Sequence, residues 1–222
     1  MNQDDICEFE SWLDVRAVRD QFRDASRLAI QRLAADCAQQ TVYGFALCAY
    51  WDGFDHVFDF FPSASTEQNH ELRLTQNAGL DLRWSPFDWE YERLGDEFFG
   101  GVRKFVRSAF AREPQFKERD DFVSLFHGDV LSQLVLALHD LRTDGVFDQF
   151  PAITVFCAQP ESDGWLERFS GKLLNSDSLD NTFLQAFAPI DPAYDEHDST
   201  FRRFRDRLRN CGELPNVWQE HK

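Results

Sequence analysis

Apolar residues recur every three or four positions in three segments, which is the spacing of one helix face. Residues 11–40 predict a long amphipathic helix whose arginines alternate with aspartates as a solvated, salt-linked face. Residues 129–141 are apolar at most positions and predict a helix that crosses the core. Residues 199–210 predict a basic helix with one apolar face. That face consists of Phe201, Phe204 and Leu208.

Strand patterns occupy the stretches between these helices. β-Branched and aromatic residues dominate 41–50 and 57–61, and the Asp-Gly between them is a turn signal, so the two segments predict an antiparallel hairpin that Pro62 ends. Residues 152–158 form a continuous apolar run, typical of a central strand covered on both faces. Residues 80–84 alternate between apolar and polar, which predicts a further short strand.

The segment 83–91 is predicted to join that short strand to a helix. Ser85 suits the N-cap position and Pro86 the first helical position, where no amide donor is needed. Asp88 then falls at the third helical position, where its carboxylate reaches back to the cap amide. The helix is expected to continue to about residue 112. Gly100-Gly101 lowers the helix propensity, so two shorter helices are the alternative.

The assembled prediction is an α+β fold with a small, mostly antiparallel sheet of about four strands packed with several helices. A single domain is expected over residues 1–190. Residues 191–222 are expected to form a linker and a basic C-terminal helix that packs on the domain. Burying its apolar face favours docking, with the arginines pairing to surface carboxylates.

The composition restricts the classes of partner that the protein is expected to bind. The 222 residues carry 23 Lys and Arg against 39 Asp and Glu, a formal charge of −16, which disfavours nucleic acid and anionic membranes. A basic protein partner fits this charge, although acidity that only maintains solubility remains open. The five cysteines are scattered and suggest reduced thiols in a cytoplasmic protein. No targeting or membrane segment is predicted.

Motifs for metal or cofactor binding are not found, so no cofactor and no metal are predicted. The six histidines include no pair at helical ligand spacing, and Gly100-Gly101 lacks the surroundings of a phosphate-binding loop. A mixed ionic and aromatic cluster remains as the candidate site. It consists of Arg83, Trp84, Asp88, Trp89, Glu90 and Tyr91, with Glu67 expected nearby. An arginine beside carboxylates binds ligands or assists proton transfer, but an ion pair locking a strand to a helix is the favoured interpretation.

The segment Arg83-Trp84-Ser85-Pro86, followed by Trp89, resembles the hallmark of the bacterial domain-of-unknown-function family DUF4303. The similarity covers roughly residues 10–190 and implies no catalytic residues. Because such families occur beside secreted toxins, it implies an immunity role. Asn175-Ser176 departs from the expected Asn-Pro. Other features follow the family's order: Tyr43-Gly44-Phe45-Ala46-Leu47 in an early strand, Ser65-Thr66-Glu67 opening a helix, Asp144-Gly145-Val146-Phe147 before a late strand, and Leu173-Leu174-Asn175 after it.

Two functions stay open at this point. The first is a protein-interaction module, in particular an immunity protein whose acidic surface neutralises a basic toxin. The second is an enzyme with its site at the helix mouth formed by residues 83–91. Perturbed carboxylates in a deep cleft would favour the enzyme, whereas a flat acidic patch would favour the binding protein.

Overall fold

The computed structural model describes residues 13–52, 57–76, 82–112, 120–160, 162–175, 181–187 and 198–211. Its strands are β1 (Val42–Asp52), β2 (Val57–Thr66) and β3 (Thr154–Ala158). Its α-helices are α1 (Val15–Asp36), α2 (Glu67–Gln76), α3 (Gly100–Ala111), α4 (Asp120–Thr143), α5 (Trp165–Asn175), α6 (Asn181–Ala186) and α7 (Ser199–Asn210). Short 3-10 helices lie at Pro86–Asp88 and Asp96–Phe99.

The three described strands form one sheet in the order β2-β1-β3. β1 pairs antiparallel with β2 and parallel with β3, so the sheet is mixed. The fold is α+β in a single domain, as predicted, but the expectation of about four mostly antiparallel strands is wrong. β3 is buried along its whole length, yet it lies at an edge of the sheet and not in the centre.

The hairpin of β1 and β2 is confirmed, although β2 is longer than predicted. It continues through Pro62, which lies opposite Leu47, and ends at Thr66. Proline is tolerated here because β2 is an edge strand, where a missing amide donor need not interrupt a ladder. The predicted Asp-Gly turn falls on residues 53–56, which lie outside the described residues.

The predicted short strand is wrong where the structure describes it. Residues 82–85 form a turn in which the amide of Ser85 donates to the carbonyl of Leu82 at 3.1 Å, and residues 80–81 lie outside the described residues. β1 has a partner on each side, and at Ala64 of β2 the backbone instead exchanges two hydrogen bonds with Tyr91, each 3.3 Å long.

The long helix predicted from Pro86 is also wrong, because Pro86–Asp88 forms only one 3-10 turn. The hydroxyl of Ser85 does not cap a backbone amide but donates to Oδ2 of Asp88 at 2.6 Å. Arg93 and Gly95 then adopt positive φ angles of 62° and 76°, which a right-handed helix cannot contain. α3 begins only after these two residues.

Helices α1, α3 and α4 cover one face of the sheet. α1 begins at its N-cap Asp14, whose carboxylate accepts a hydrogen bond from the amide of Ala17 at 2.9 Å. α4 is longer than the predicted 129–141 and is the central core helix. Its segment Phe122–Thr143 is long and apolar enough to span a membrane by length and composition, and 72% of its apolar 18-residue stretch is buried inside the protein.

The outer edge of β3 is closed by side chains of α5. The amide of Asn175 accepts a hydrogen bond from the N–H of Val155 (2.8 Å) and donates to its carbonyl (2.7 Å), as a neighbouring strand would. Two more contacts continue along the edge: Ser170 with the N–H of Cys157 and Glu167 with the N–H of Gln159, each at 2.8 Å.

α7 packs against α4 and α5 through the three apolar residues that the sequence placed on one face. The rings of Phe201 and Phe204 lie 5.1 Å from that of Trp165. α7 approaches α4 closely at Gly128, where a Cβ atom would come within 2.6 Å of the carbonyl oxygen of Thr200. The predicted boundary at residue 190 falls among residues 188–197, outside the described residues, and stays a prediction.

One ionic contact of α7 is buried, whereas the sequence predicted pairing with surface carboxylates. Asp129 of α4 is fully buried, and its carboxylate accepts hydrogen bonds from Nε of Arg203 and of Arg207, each at 2.7 Å. Two guanidinium groups therefore share one carboxylate from which solvent is excluded.

Replacing Asp129 by asparagine should lower the free energy of unfolding by about 3 kcal/mol, because both arginines lose a buried countercharge. Asp206→Asn is the matched control, since that carboxylate is about half exposed and pairs with neighbouring Arg205. Its effect should stay below about 1 kcal/mol. Denaturant titrations of both variants test this, and equal effects would show that the buried pair contributes no more than a surface pair.

The burial of His127 in α4 should make the stability of the fold depend on pH. Its ring lies 4.9 Å from that of Trp51, and burial lowers its pKa from 6.5 to about 4. As the pH falls from 6.5 to about 4, the unfolded chain binds a proton at this histidine and the folded chain does not. Stability should therefore fall across that window, and less steeply in His127→Gln. Denaturation series at several pH values test this; parallel curves would contradict it.

Candidate functional site

The backbone carbonyl of Arg83 fixes the segment 83–89 over the second face of the sheet. It accepts hydrogen bonds from the hydroxyl of Tyr43 and from Nε1 of Trp89, both at 2.9 Å. Nε1 of Trp84 donates in turn to Oγ1 of Thr182 at 3.1 Å. The hydroxyl of Tyr43 and the indole N–H groups of Trp84 and Trp89 thus all form hydrogen bonds, and both indoles are buried.

Gly44 allows Trp89 to lie directly on β1. A Cβ atom at this position would come within 2.7 Å of Cη2 of the indole. The ladder of β1 and β2 is irregular between Val42 and Gly44, and Tyr43 packs edge-on against both indoles at 5.5 and 5.9 Å. Gly44 and the irregular register of β1 and β2 together leave room for Tyr43, Trp84 and Trp89, which we call the aromatic layer.

The guanidinium of Arg83 forms a bidentate ion pair with Glu67, with N–O distances of 2.8 and 2.6 Å. It also lies over the ring of Tyr43, 4.2 Å from the centroid. The contact links a turn to the first residue of α2, where a strand-to-helix link was expected. Arg83 is therefore positioned as a structural link between α2 and the aromatic layer.

The remaining predicted site residues lie elsewhere. Asp88 is exposed and accepts the hydroxyl of Ser85, and Glu90 is exposed. Tyr91 faces the helix-covered side, where its hydroxyl accepts a hydrogen bond from Nε2 of Gln40 at 3.1 Å. Glu67, Arg83, Trp84 and Trp89 thus form one cluster that excludes these three.

Three exposed glutamates follow the cluster and define what we call the acidic segment. They are Glu90, Glu92 and Glu97, and none forms an ion pair with a residue that the structure describes. The arginine between them, Arg93, is itself 41% exposed, and it pairs with Asp59 and Asp96. Its positive charge is neutralised locally, so the surface of the segment stays acidic.

Arg103 of α3 completes this internal network by pairing with Asp59 at 3.1 Å and with Asp96 at 2.6 Å. Burial alone would raise the pKa of Asp59, but the hydrogen bonds and charges of Arg93 and Arg103 outweigh it and lower that pKa. The four groups form a partly buried ionic network that anchors the acidic segment to β2.

A cleft of about 740 Å³ opens beside the cluster. One wall is formed by Trp84 and Phe87, and the other by the loop that follows β3 together with Phe187 of the α6 end. Gln159 and Glu167 line it from that loop and from α5. This volume lies in the range of small-ligand pockets.

Two buried polar groups in the cleft are of chemical interest. Glu167 is 5% exposed, and burial raises its pKa, an effect that hydrogen bonds from Ser162 and Gln159 oppose only in part. The side-chain amide oxygen of Gln159 is buried and has no hydrogen-bond partner among the described residues. Such an unmet acceptor is uncommon in protein interiors.

Thiol and metal chemistry find no support in the described part of the chain. Burial raises the pKa of Cys48 and Cys157 well above the ordinary thiol value, which disfavours the reactive thiolate. Cys37, Cys48 and Cys157 are free thiols, and no group of three or more His, Cys, Asp or Glu among the described residues could hold a metal ion.

In the described part of the chain, a three-stranded mixed sheet carries α1, α3 and α4 on one face and the aromatic 83–89 segment with α6 on the other. Residues 22–176 match the family described as Domain of unknown function (DUF4303). The chain therefore belongs to the DUF4303 family, and the matched region runs from α1 to the residue after Asn175. No curated protein and no solved structure is significantly similar to it.

Sequence reasoning missed the groups that line the cleft from β3 and α5. Gly44 offered a usable signal, because a glycine within a strand indicates close approach by another group. Gln159 and Glu167 offered none, since their distance from Trp84 depends on the pairing of β3 with β1 and on the packing of α5.

Gly44→Ala should lower the free energy of unfolding by about 1–3 kcal/mol, because the new methyl group overlaps the indole of Trp89. Gly100→Ala is the matched control. A Cβ atom there meets nothing within 4 Å and the backbone is helical, so stability should be unchanged or rise by up to about 1 kcal/mol. Thermal and denaturant unfolding measure both, and a neutral Gly44→Ala would contradict the packing described.

Proposed function

We propose that this protein is a bacterial cytoplasmic protein-interaction module, and specifically an immunity protein that binds a basic toxin. One observation carries the proposal. Glu90, Glu92 and Glu97 are exposed without ion pairs to described residues, whereas the charges of the nearby Arg93 and Arg103 are neutralised by Asp59 and Asp96. A basic surface would find unpaired carboxylates there.

The net charge of −16 also favours a basic protein partner. Long-range attraction raises the association rate of a cationic protein and lowers that of anionic partners. Nucleic acid and anionic membrane surfaces are therefore not proposed as partners, because their phosphates would approach the same carboxylates. No cofactor is required for such a role.

Catalysis at the 83–91 segment is the second candidate, and the adjoining cleft with the buried acid Glu167 favours it. Both oxygens of that carboxyl are engaged, however. One accepts the N–H of Gln159 at 2.8 Å and the other the hydroxyl of Ser162 at 2.5 Å. Because Arg83 is likewise held by Glu67, binding is the better supported function.

The acidic segment gives the test. The basic protein that co-purifies with the chain from its host is identified, and its association kinetics are measured at low and high salt. Neutralising Glu90, Glu92 and Glu97 together to glutamine should slow association about tenfold at low salt and little at high salt. The control triple variant neutralises three exposed carboxylates elsewhere: Asp24, Glu71 and Asp148.

Three outcomes would overturn the proposal. The first is that only acidic partners are recovered. The second is that both triple variants slow association equally, so that the segment has no special part. The third is that a small molecule is turned over and that a folded Arg83→Ala variant loses this turnover.

A further inference from the structure

The N-terminal half of α5 is held between α7 and the end of β3. Trp165 and Phe169, one turn apart on its outer side, pack against α7, where the ring of Phe204 lies 5.1 Å from the first and 5.2 Å from the second. Glu167 falls midway between them in sequence and so points roughly to the opposite side of the helix. There its carboxylate accepts the N–H of Gln159 at 2.8 Å. α7 therefore contacts α5 directly behind the carboxyl group that bonds to the sheet.

The two ends of α5 are held by different contacts. At the C-terminal end, Arg142 of α4 donates to Oδ1 of Asn175 at 3.2 Å, and Asn175 bonds both the N–H and the carbonyl of Val155. These bonds do not involve α7. The N-terminal end follows Asp163 and Gly164, whose φ angles of 49° and 81° form a tight turn. A few residues of this kind are sufficient for a hinge.

α7 is fixed on α4 through Asp129. Oδ1 of this carboxylate accepts from Nε of Arg203 and of Arg207, and Oδ2 accepts from their Nη2 atoms, at distances between 2.7 and 3.2 Å. We call these three residues the lock. α7 lies outside residues 22–176, the region that matches the family, so it packs on that region as an addition. Its docking involves one buried carboxylate and one apolar face.

We propose that α7 is a releasable strap that controls the buried acid of the cleft. While α7 is docked, it holds the N-terminal half of α5 against the sheet, and Glu167 stays bonded to Gln159 and Ser162. When α7 detaches, this half of α5 moves about the turn that precedes it, and the carboxyl of Glu167 leaves the amide of Gln159 and becomes available in the cleft that it lines. The C-terminal half stays bonded to Val155. Such a local opening needs less free energy than global unfolding.

Amide hydrogen exchange of the full-length parent chain tests the proposal, with NMR detection at increasing low concentrations of urea. After correction for intrinsic rates, the amides of Gln159 and of Phe204 in α7 should exchange through one opening, with the same free energy and the same dependence on urea. The amide of Val155 is the internal control, because it is also bonded to a side chain of α5. It should exchange at least about tenfold more slowly, through a larger opening.

A variant of the lock tests whether the two distant amides are coupled. Arg203→Gln combined with Arg207→Gln leaves Asp129 without its two partners, which favours the released state. Exchange at Gln159 and at Phe204 should then accelerate by one common factor of about tenfold or more.

Two further variants serve as controls. Arg142→Gln weakens the C-terminal end of α5, whose bonds are the same in the docked and the released states. It should accelerate exchange at Val155 and leave Gln159 unchanged. Arg202→Gln combined with Arg209→Gln makes the same charge change as the lock variant, but at exposed positions of α7. Exchange at both amides should remain as in the parent chain.

Two results would overturn the proposal. The first is that Gln159 and Val155 exchange through one opening in the parent chain, because α5 then detaches as a whole or only on global unfolding. The second is that the lock variant accelerates exchange at Phe204 but not at Gln159, because α7 then detaches without moving α5. The first result needs no variant, so it decides the matter even where a variant does not fold.

Discussion

Two donors converge on one backbone oxygen, the carbonyl of Arg83, and much of the second face of the sheet depends on this arrangement. A three-stranded sheet has two faces to bury, and here α1, α3 and α4 cover one of them. The other is covered by the irregular 83–89 segment together with α6, whose Phe183 packs against Trp84. Tyr43 and Trp89 hold that segment through its main chain, so the side chain of Arg83 stays available to bind Glu67 and so anchor α2.

Patterns with strong periodicity predicted much of the fold. The helices α1, α4 and α7 and the β1–β2 hairpin follow from local spacing, because their buried faces repeat over several turns or residues. The segment from Leu82 to Gly95 was misjudged in both its strand and its helix. Its alternation and its Ser-Pro start are local signals, and tertiary contacts of Trp84, Trp89 and Tyr91 override them.

The candidate site was predictable to the extent that it is built from one segment. The Arg83–Glu67 ion pair could be anticipated from the charge types, and it is present. The cleft could not be, because its polar groups, Gln159 and Glu167, reach Trp84 only through a parallel strand pairing that joins distant parts of the chain. Parallel pairing leaves no short-range mark in a sequence comparable to a hairpin turn.

The closing of β3 by Glu167, Ser170 and Asn175 has a consequence for behaviour at high concentration. An open parallel edge strand of apolar residues would be a template for pairing between molecules and for aggregation. Here the amides of Val155, Cys157 and Gln159 already have side-chain partners. New strands therefore cannot extend the sheet on this side until α5 detaches, and the folded chain offers no strand template at this edge even when it is concentrated.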